Sequence, residues 1–220
     1  MDEPARAINL QGVCFAYGDR VVFNGLDFAV SLGERVGLLG PVGCGKTTLF
    51  HIIVGLLQPQ AGRVEIFGRK RREEADFLEV RRRIGLLFQD SGDQLFSPTV
   101  AEDVAFGPLN LGLPRPEVER RVRDTLEAVG LSGYEDRITY QLSGGEKRLA
   151  ALATILAMQP EILLLDEPFA GLDTEARERV AAALERTGVG WVMISHRRED
   201  LASLTSRVVL MQNGEITAAS

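Results

Sequence analysis

Val36-Gly37-Leu38-Leu39-Gly40-Pro41-Val42-Gly43-Cys44-Gly45-Lys46-Thr47-Thr48 is the stretch on which the reading of the whole chain turns. Its first four residues form a short, wholly apolar run, the signature of a strand buried on both faces. Gly40 to Gly45 then read as a loop, and Lys46–Leu57 as a helix that Pro59 stops. The loop fits the spacing G-x-x-x-x-G-K-[ST]. Its glycines let successive backbone N–H groups turn inward around phosphate oxygens, at a helix N-terminus whose dipole favours anions. Lys46 is expected to reach the β- and γ-phosphates of a nucleotide and Thr47 to offer its hydroxyl to Mg²⁺. Each residue from Gly40 to Thr48 is therefore a candidate nucleotide contact.

Two further stretches gain meaning beside that loop. Ile162-Leu163-Leu164-Leu165-Asp166-Glu167 is an apolar strand ending in two acids, and parallel strands deliver functional groups at their carboxyl ends. Asp166 is expected to hold Mg²⁺ through its water shell, because the ion dehydrates reluctantly. Glu167 is expected to face the γ-phosphate and orient or deprotonate the attacking water. Alone, such a pair reads as a helix cap or a solvated turn; the phosphate loop in the same chain selects the catalytic reading. Leu142-Ser143-Gly144-Gly145-Glu146 opens a helix expected over 144–158. A serine and two glycines at a helix start make a second anion site. One nucleotide needs only one γ-phosphate cradle, so use of this one in trans would explain it.

Residues 8–39 alternate short apolar runs with the turn signals Gly18-Asp19, Asn24-Gly25 and Leu32-Gly33-Glu34, which predicts several strands. Gly62–Gly68 and 84–88 read as strands, 69–83 as a charge-dense, solvated helical face with contact to lipid headgroups or a membrane partner as the alternative, and 90–113 as irregular chain. Helices are expected near 115–130, 174–187 and 200–204, and strands near 162–165, 191–195 and 207–212. The alternation predicts an α/β fold with a mainly parallel sheet and an N-terminal antiparallel part. A helical subdomain over about 89–158 is expected to interrupt a core of about 1–88 and 159–220.

The composition narrows the class. A chain of 220 residues allows one domain, or two lobes sharing a core. Acids outnumber bases, 31 to 25, for a net charge of -6, the opposite of a chain that lives on nucleic-acid phosphates. No apolar run approaches the roughly 18 residues needed to cross a bilayer. Met1-Asp2-Glu3-Pro4 carries acids where a secretory signal carries bases. Cys14 and Cys44 make neither a disulfide framework nor a metal-ligand cluster. The expectation is a cytoplasmic chain that reaches any membrane through a partner. Only three lysines occur, Lys46, Lys70 and Lys147, and Lys70 has no evident task.

Taken in order, the motifs resemble those of ABC-type ATPases over essentially the whole chain. Gly40–Thr48 resembles the Walker A motif, Gln89 the Q-loop glutamine and Leu142–Glu146 the LSGGQ-type signature. Ile162–Glu167 resembles Walker B with its catalytic glutamate, and Ala170-Gly171-Leu172-Asp173 the D-loop. His196 resembles the switch histidine, and Tyr17 the aromatic residue that stacks on adenine. The resemblance implies a P-loop NTPase of the ABC ATPase fold, with ATP and Mg²⁺ as cofactors. It implies Thr47, Gln89 and Asp166 around the metal, and Lys46, Gln89, Glu167 and His196 in catalysis. Tyr17, Ser143, Gly144, Gly145, Glu146 and Asp173 would act on the nucleotide. Two such chains, identical or paralogous, would sandwich two ATP molecules, each between the phosphate loop of one and Ser143–Gly145 of the other. Gln89 would sense the γ-phosphate and link it to a helical lobe that receives a transmembrane partner. His51 reads as structural.

Phe88-Gln89-Asp90-Ser91-Gly92-Asp93-Gln94-Leu95-Phe96-Ser97-Pro98-Thr99-Val100, with Glu102–Pro108 and Leu113-Pro114, is similar to the ATPases of energy-coupling-factor importers. Such importers take up cobalt or nickel ions, biotin and other vitamins. This finer resemblance implies an importer subunit on the cytoplasmic face of the cell membrane. Its transmembrane partner would dock near Gln89–Pro108, with Asp93 and Gln94 on the docking segment. A vitamin importer and a non-transport ABC ATPase are the alternatives; the acidic balance opposes those that act on nucleic acid. Cys44, Phe169, Arg197 and Ser91-Gly92 depart from the residues usual at their positions. Because the sequence given stops at Ser220, soon after its last expected strand, dimerisation is expected to rely on ATP and the membrane partner.

Overall fold

The computed structural model describes residues 6–219. The chain divides into two compact units, one formed by the residues up to Ile84 together with those from Gly190 onward, the other by Gly85–Val189.

The first unit opens on a long antiparallel hairpin, β1 (Arg6–Tyr17) and β2 (Arg20–Ser31), turned at Gly18-Asp19. A register shift between Leu10 and Val13 changes the parity of β1. Ile8 and Leu10 before it, and Val13 and Phe15 after it, therefore all stay buried. Next come β3 (Arg35–Leu39), α1 (Lys46–Ile53), β4 (Ala61–Ile66), β5 (Arg69–Lys70) and α2 (Glu74–Arg83). The antiparallel sheet runs in the order β2-β1-β4-β5. Helix α1 stops at Ile53, short of the expected Leu57. Gly55 takes φ 72°, and the Leu56 N–H returns to the His51 carbonyl at 2.8 Å. A Cβ at position 55 would lie 2.1 Å from the Phe77 ring on α2, so this corner admits only glycine.

Strand β6 (Ile84–Leu87) carries the chain into the second unit. There follow α3 (Val100–Asn110), α4 (Arg115–Ala128), α5 (Gly144–Leu156), β7 (Ile162–Asp166), which pairs beside β6, and α6 (Thr174–Arg186). Helix α3 lies where irregular chain was expected. Thr99 and Glu102 form a reciprocal cap, with Thr99 Oγ1 accepting from the Glu102 N–H and Glu102 Oε2 from the Thr99 N–H. Val100 and Val104 give the helix its buried face, and Pro108 falls in its last turn. Helix α5 is buried from Arg148 to Ala153, and three alanines there let neighbouring helices approach.

Returning to the first unit, the chain forms β8 (Gly190–Ile194), α7 (Arg198–Ala202), β9 (Arg207–Gln212) and β10 (Glu215–Ala218). Strand β3 lies between β8 and β9, parallel to both, with Val36 opposite Val192 on one side and Arg207 on the other. Strand β10, not foreseen, adds antiparallel to β9. The expected class holds: an α/β fold with parallel strand pairs at its centre, an antiparallel N-terminal part and a helical insertion. No described helix is long and apolar enough to cross a membrane.

Candidate active site

In the first unit the phosphate loop leaves the carboxyl end of β3, the end at which open parallel sheets bind ligands. Backbone crowding accounts for two of its glycines. A Cβ on Gly40 would lie 2.4 Å from the Met211 carbonyl oxygen, and one on Gly45 would lie 2.6 Å from Val22 and 2.8 Å from Phe23. Gly45 also takes φ 109° as the residue that starts α1. Lys46 is buried, and its ammonium donates to the carbonyls of Gly40 at 2.9 Å and Pro41 at 3.0 Å, with Cys44 Sγ 3.9 Å away. The cation thus sits inside the curl of the loop, held by backbone oxygens. Pro41, Val42, Gly43 and Thr47 are exposed, whereas Thr48 is buried.

Tyr17, at the end of β1, is half exposed, edge-on to Phe15 at 4.9 Å. Its hydroxyl lies 3.4 Å from Thr48 Oγ1, which brings the expected adenine platform to the loop. Arg20, at the start of β2, donates to the Gly43 carbonyl at 3.0 Å and so braces the loop from the hairpin. Nothing local in the sequence marked Arg20, because the contact spans 23 residues. His196 follows β8 and is exposed. Its turn is fixed by the Ser195 hydroxyl, which donates to Asp200 Oδ2 at 2.9 Å and accepts from the Arg197 N–H.

In the second unit β7 delivers Asp166 and Glu167, both buried. Glu167 takes φ 49°, a left-handed conformation that costs an L-residue about 1–2 kcal/mol and that clusters at functional sites. Arg148 of α5 is the near cation of this pair. Its fork donates to the carbonyls of Phe88 at 2.7 Å and Gln89 at 2.6 Å. Burial pulls the guanidinium pKa down, opposed by the charges of Asp90, Asp166 and Glu167. Arg148 was not among the expected site residues, although a charge directly before the apolar run 149–153 is itself a signal. Gln89 is exposed, its main chain clamped by Arg148. Gln94, expected on a docking segment, turns its side chain inward: Oε1 accepts from the Phe88 N–H, and Nε2 donates to the Ala151 carbonyl and to Thr154 Oγ1.

Ser143 caps α5 reciprocally with Glu146: the serine hydroxyl accepts from the Glu146 N–H, and Glu146 Oε2 accepts from the Ser143 N–H at 2.8 Å. The Tyr134 hydroxyl donates to Glu146 Oε1 at 2.7 Å. That bond, followed by those from Ser143, lowers the Glu146 pKa to about 2. The two glycines differ in kind. A Cβ on Gly145 would lie 2.7 Å from the Ala176 Cβ of α6, which is a packing reason for glycine that sequence reasoning had not supplied. A Cβ on Gly144 would meet nothing within 4 Å. Asp173 caps α6, its Oδ1 accepting from the Ala176 N–H at 2.8 Å, so its carboxylate has a structural task.

The sequence profile of the family described as "ABC transporter" matches residues 23–170. The energy-coupling factor transporter ATP-binding protein EcfA of Methanothermobacter thermautotrophicus is 46% identical over 216 residues, covering 96% of this chain and 70% of that protein. The cobalt import ATP-binding protein CbiO of Syntrophus aciditrophicus is 43% identical, covering 90% of this chain and 71% of that protein. The solved structure of CbiO1 from Clostridium perfringens, described as part of the ABC transporter complex CbiONQ, superposes with a TM-score of 0.88 at 30% identity. That match covers 97% of this chain and 87% of the other. The chain belongs to the ABC transporter family, as an ATP-binding, ATP-hydrolysing subunit.

Proposed function

We propose that this chain powers an importer of the energy-coupling-factor type, with cobalt or nickel ions as cargo, from the cytoplasmic face of the membrane. The observation that carries the nucleotide chemistry is the buried Lys46 ammonium held within the glycine loop at the start of α1. Likeness to EcfA and CbiO supports the transport reading, and the name of CbiO supports the metal cargo.

The donor set suits Mg-ATP. Lys46 and the loop N–H groups meet phosphate oxygens, Thr47 offers a hydroxyl and Asp166 a carboxylate, all hard oxygen or cationic groups. Thr47, Gln89 and Asp166 would hold the ion, with phosphate and water oxygens completing its shell. Bound Mg²⁺ neutralises charge developing on the phosphates. Glu167 orients the attacking water and takes its proton, and Gln89 and His196 respond to the γ-phosphate. Tyr17 stacks on adenine. Ser143 to Glu146, and Asp173, serve the nucleotide of a second ATPase subunit, identical or paralogous. Residues about 89–158 act as the partner-facing lobe, and a transmembrane protein docks near Gln89–Pro108. Phe96 and Phe106, exposed and edge-to-face at 4.9 Å, support that surface.

The test is Glu167→Gln. Turnover is expected to vanish while ATP binding persists, and the Mg-ATP complex is expected to elute as a dimer in size exclusion. A variant that stays monomeric with Mg-ATP defeats the sandwich.

A further inference from the structure

In the first unit a cavity of about 380 Å³ opens beside the 58–62 loop, β4 and the approach to α2, and its charge is one-sided. Arg63, Lys70, Arg71 and Arg72 line it with the amides of Gln58 and Gln60, and none of its lining residues is acidic. This is unusual in a chain of 31 acids and 25 bases. From Arg63 to Arg83 the balance reverses, to eight cations against five acids.

Four of those five acids have partners of their own, two of them lining arginines. Glu65 pairs with Arg63. Glu79 is shared by Arg69 at 3.3 Å, Arg71 at 2.9 Å and Arg83 at 3.1 Å. Glu74 takes Arg81, and Asp76 accepts from the backbone N–H groups of Arg72 and Glu73. Among the described residues no carboxylate pairs with Lys70 or with the Arg72 side chain. Arg71 differs from both. It is 6% exposed, and its guanidinium is fixed by the Ile66 carbonyl, at 3.3 Å from Nε and 3.1 Å from Nη2, and by the Asp76 carbonyl at 3.0 Å. The Gln58 amide donates to the Arg72 carbonyl at 3.4 Å and closes the rim. A buried, fixed arginine therefore lines the cavity beside two exposed cations, Lys70 and Arg72, that no described carboxylate offsets.

We propose that this cavity is a binding site for a phosphate-bearing anion, built from residues other than those of the phosphate loop. Arginine forks match phosphate oxygens bidentately and a lysine adds a compact charge, so a group carrying more than one negative charge fits best. The volume suits a pyrophosphate or a headgroup rather than a long ligand. The phosphate can come from a soluble molecule or from an anionic lipid, and both present the same oxygens to Lys70 and Arg72.

The test is a titration of the ¹⁵N-labelled full chain with inorganic pyrophosphate, followed by ¹⁵N–¹H spectra. A parallel arm measures sedimentation with vesicles of phosphatidylcholine alone or with about one fifth phosphatidylglycerol. Lys70→Ala/Arg72→Ala is compared with Arg82→Ala/Arg123→Ala, which removes the same charge from exposed positions outside the cavity. Saturable shifts of the 58–63 and 70–72 amides, beyond those of 40–48, are expected for the wild type and the control pair. At least tenfold weaker binding is expected for Lys70→Ala/Arg72→Ala. Binding of pyrophosphate alone assigns a soluble ligand, and selective sedimentation with the anionic vesicles assigns a lipid headgroup. No response of those amides to pyrophosphate together with no selective sedimentation by the anionic vesicles, or equal responses from the two double variants, overturns the site.

Discussion

Replacing Arg148 by methionine tests whether the clamp on Gln89 is structural, catalytic or both. The side chain is 4% exposed and makes two short bonds to main-chain carbonyls, at 2.7 and 2.6 Å. Each charge-assisted bond is worth about 1.5–3 kcal/mol, and its loss leaves a carbonyl to find water. Against this, the variant no longer buries a guanidinium, a penalty visible in the downward pull of burial on its pKa. The net loss is expected to be about 2–4 kcal/mol, or about 5–15 °C in Tm at 2–4 °C per kcal/mol for a chain of this size. Arg148→Lys keeps a charge near Asp90, Asp166 and Glu167 but not the fork, and should lose about half as much. Thermal unfolding by circular dichroism reads the stability. Steady-state ATPase assays should show kcat at least tenfold down in Arg148→Met with the KM for ATP within about threefold, because Gln89 is misplaced while the phosphate loop is untouched. A methionine variant that melts within about 2 °C of wild type and keeps half its turnover would refute the clamp.

Gly145→Ala forces a Cβ to within 2.7 Å of Ala176 and should cost about 1–3 kcal/mol in urea unfolding. Gly144→Ala meets no neighbour and should gain up to about 1 kcal/mol from helix propensity, yet lose ATPase activity if nucleotide approaches that face. Equal stability of the two variants would remove the packing argument. Tyr134→Phe deletes the main cause of the low Glu146 pKa. A carboxylate whose pKa falls on folding adds stability that is complete above its unfolded value, near 4.5, and fades as pH drops towards 2. The gap between wild type and Tyr134→Phe, about 1 kcal/mol at neutral pH for a pair only partly buried, should therefore close between about pH 4.5 and 2 in acid-unfolding curves. A gap independent of pH over that range would refute the assignment.

The strand before Gly40, the loop itself, and β7 with its two acids were legible because each is local: an apolar run followed by residues whose spacing the chemistry dictates. Helix α3 was equally local, since Thr99 and Glu102 spell a reciprocal cap, but the Pro, Gly and Asp around it suggested irregular chain. Arg148, Arg20 and Gln94 were not legible in that way. Their bonds span 59 and 60, 23, and 57 and 60 residues, and no periodicity encodes which carbonyl a distant arginine will find. The glycines of 144–145 carry two demands in one dipeptide, close packing at one and an open face at the other, and sequence alone cannot divide them.

The same bonds join Gln89 mechanically to a distant end of its unit. Arg148 ties Phe88 and Gln89 to the second turn of α5, and Gln94 ties the following residues to Ala151 and Thr154 farther along it. Helix α5 has 13 residues and so spans about 20 Å, starting from the Ser143 cap. A push on the backbone at Gln89 is therefore not absorbed by a yielding loop. The helix is expected to follow it as a stiff lever, with Ser143 and its two glycines on the arm.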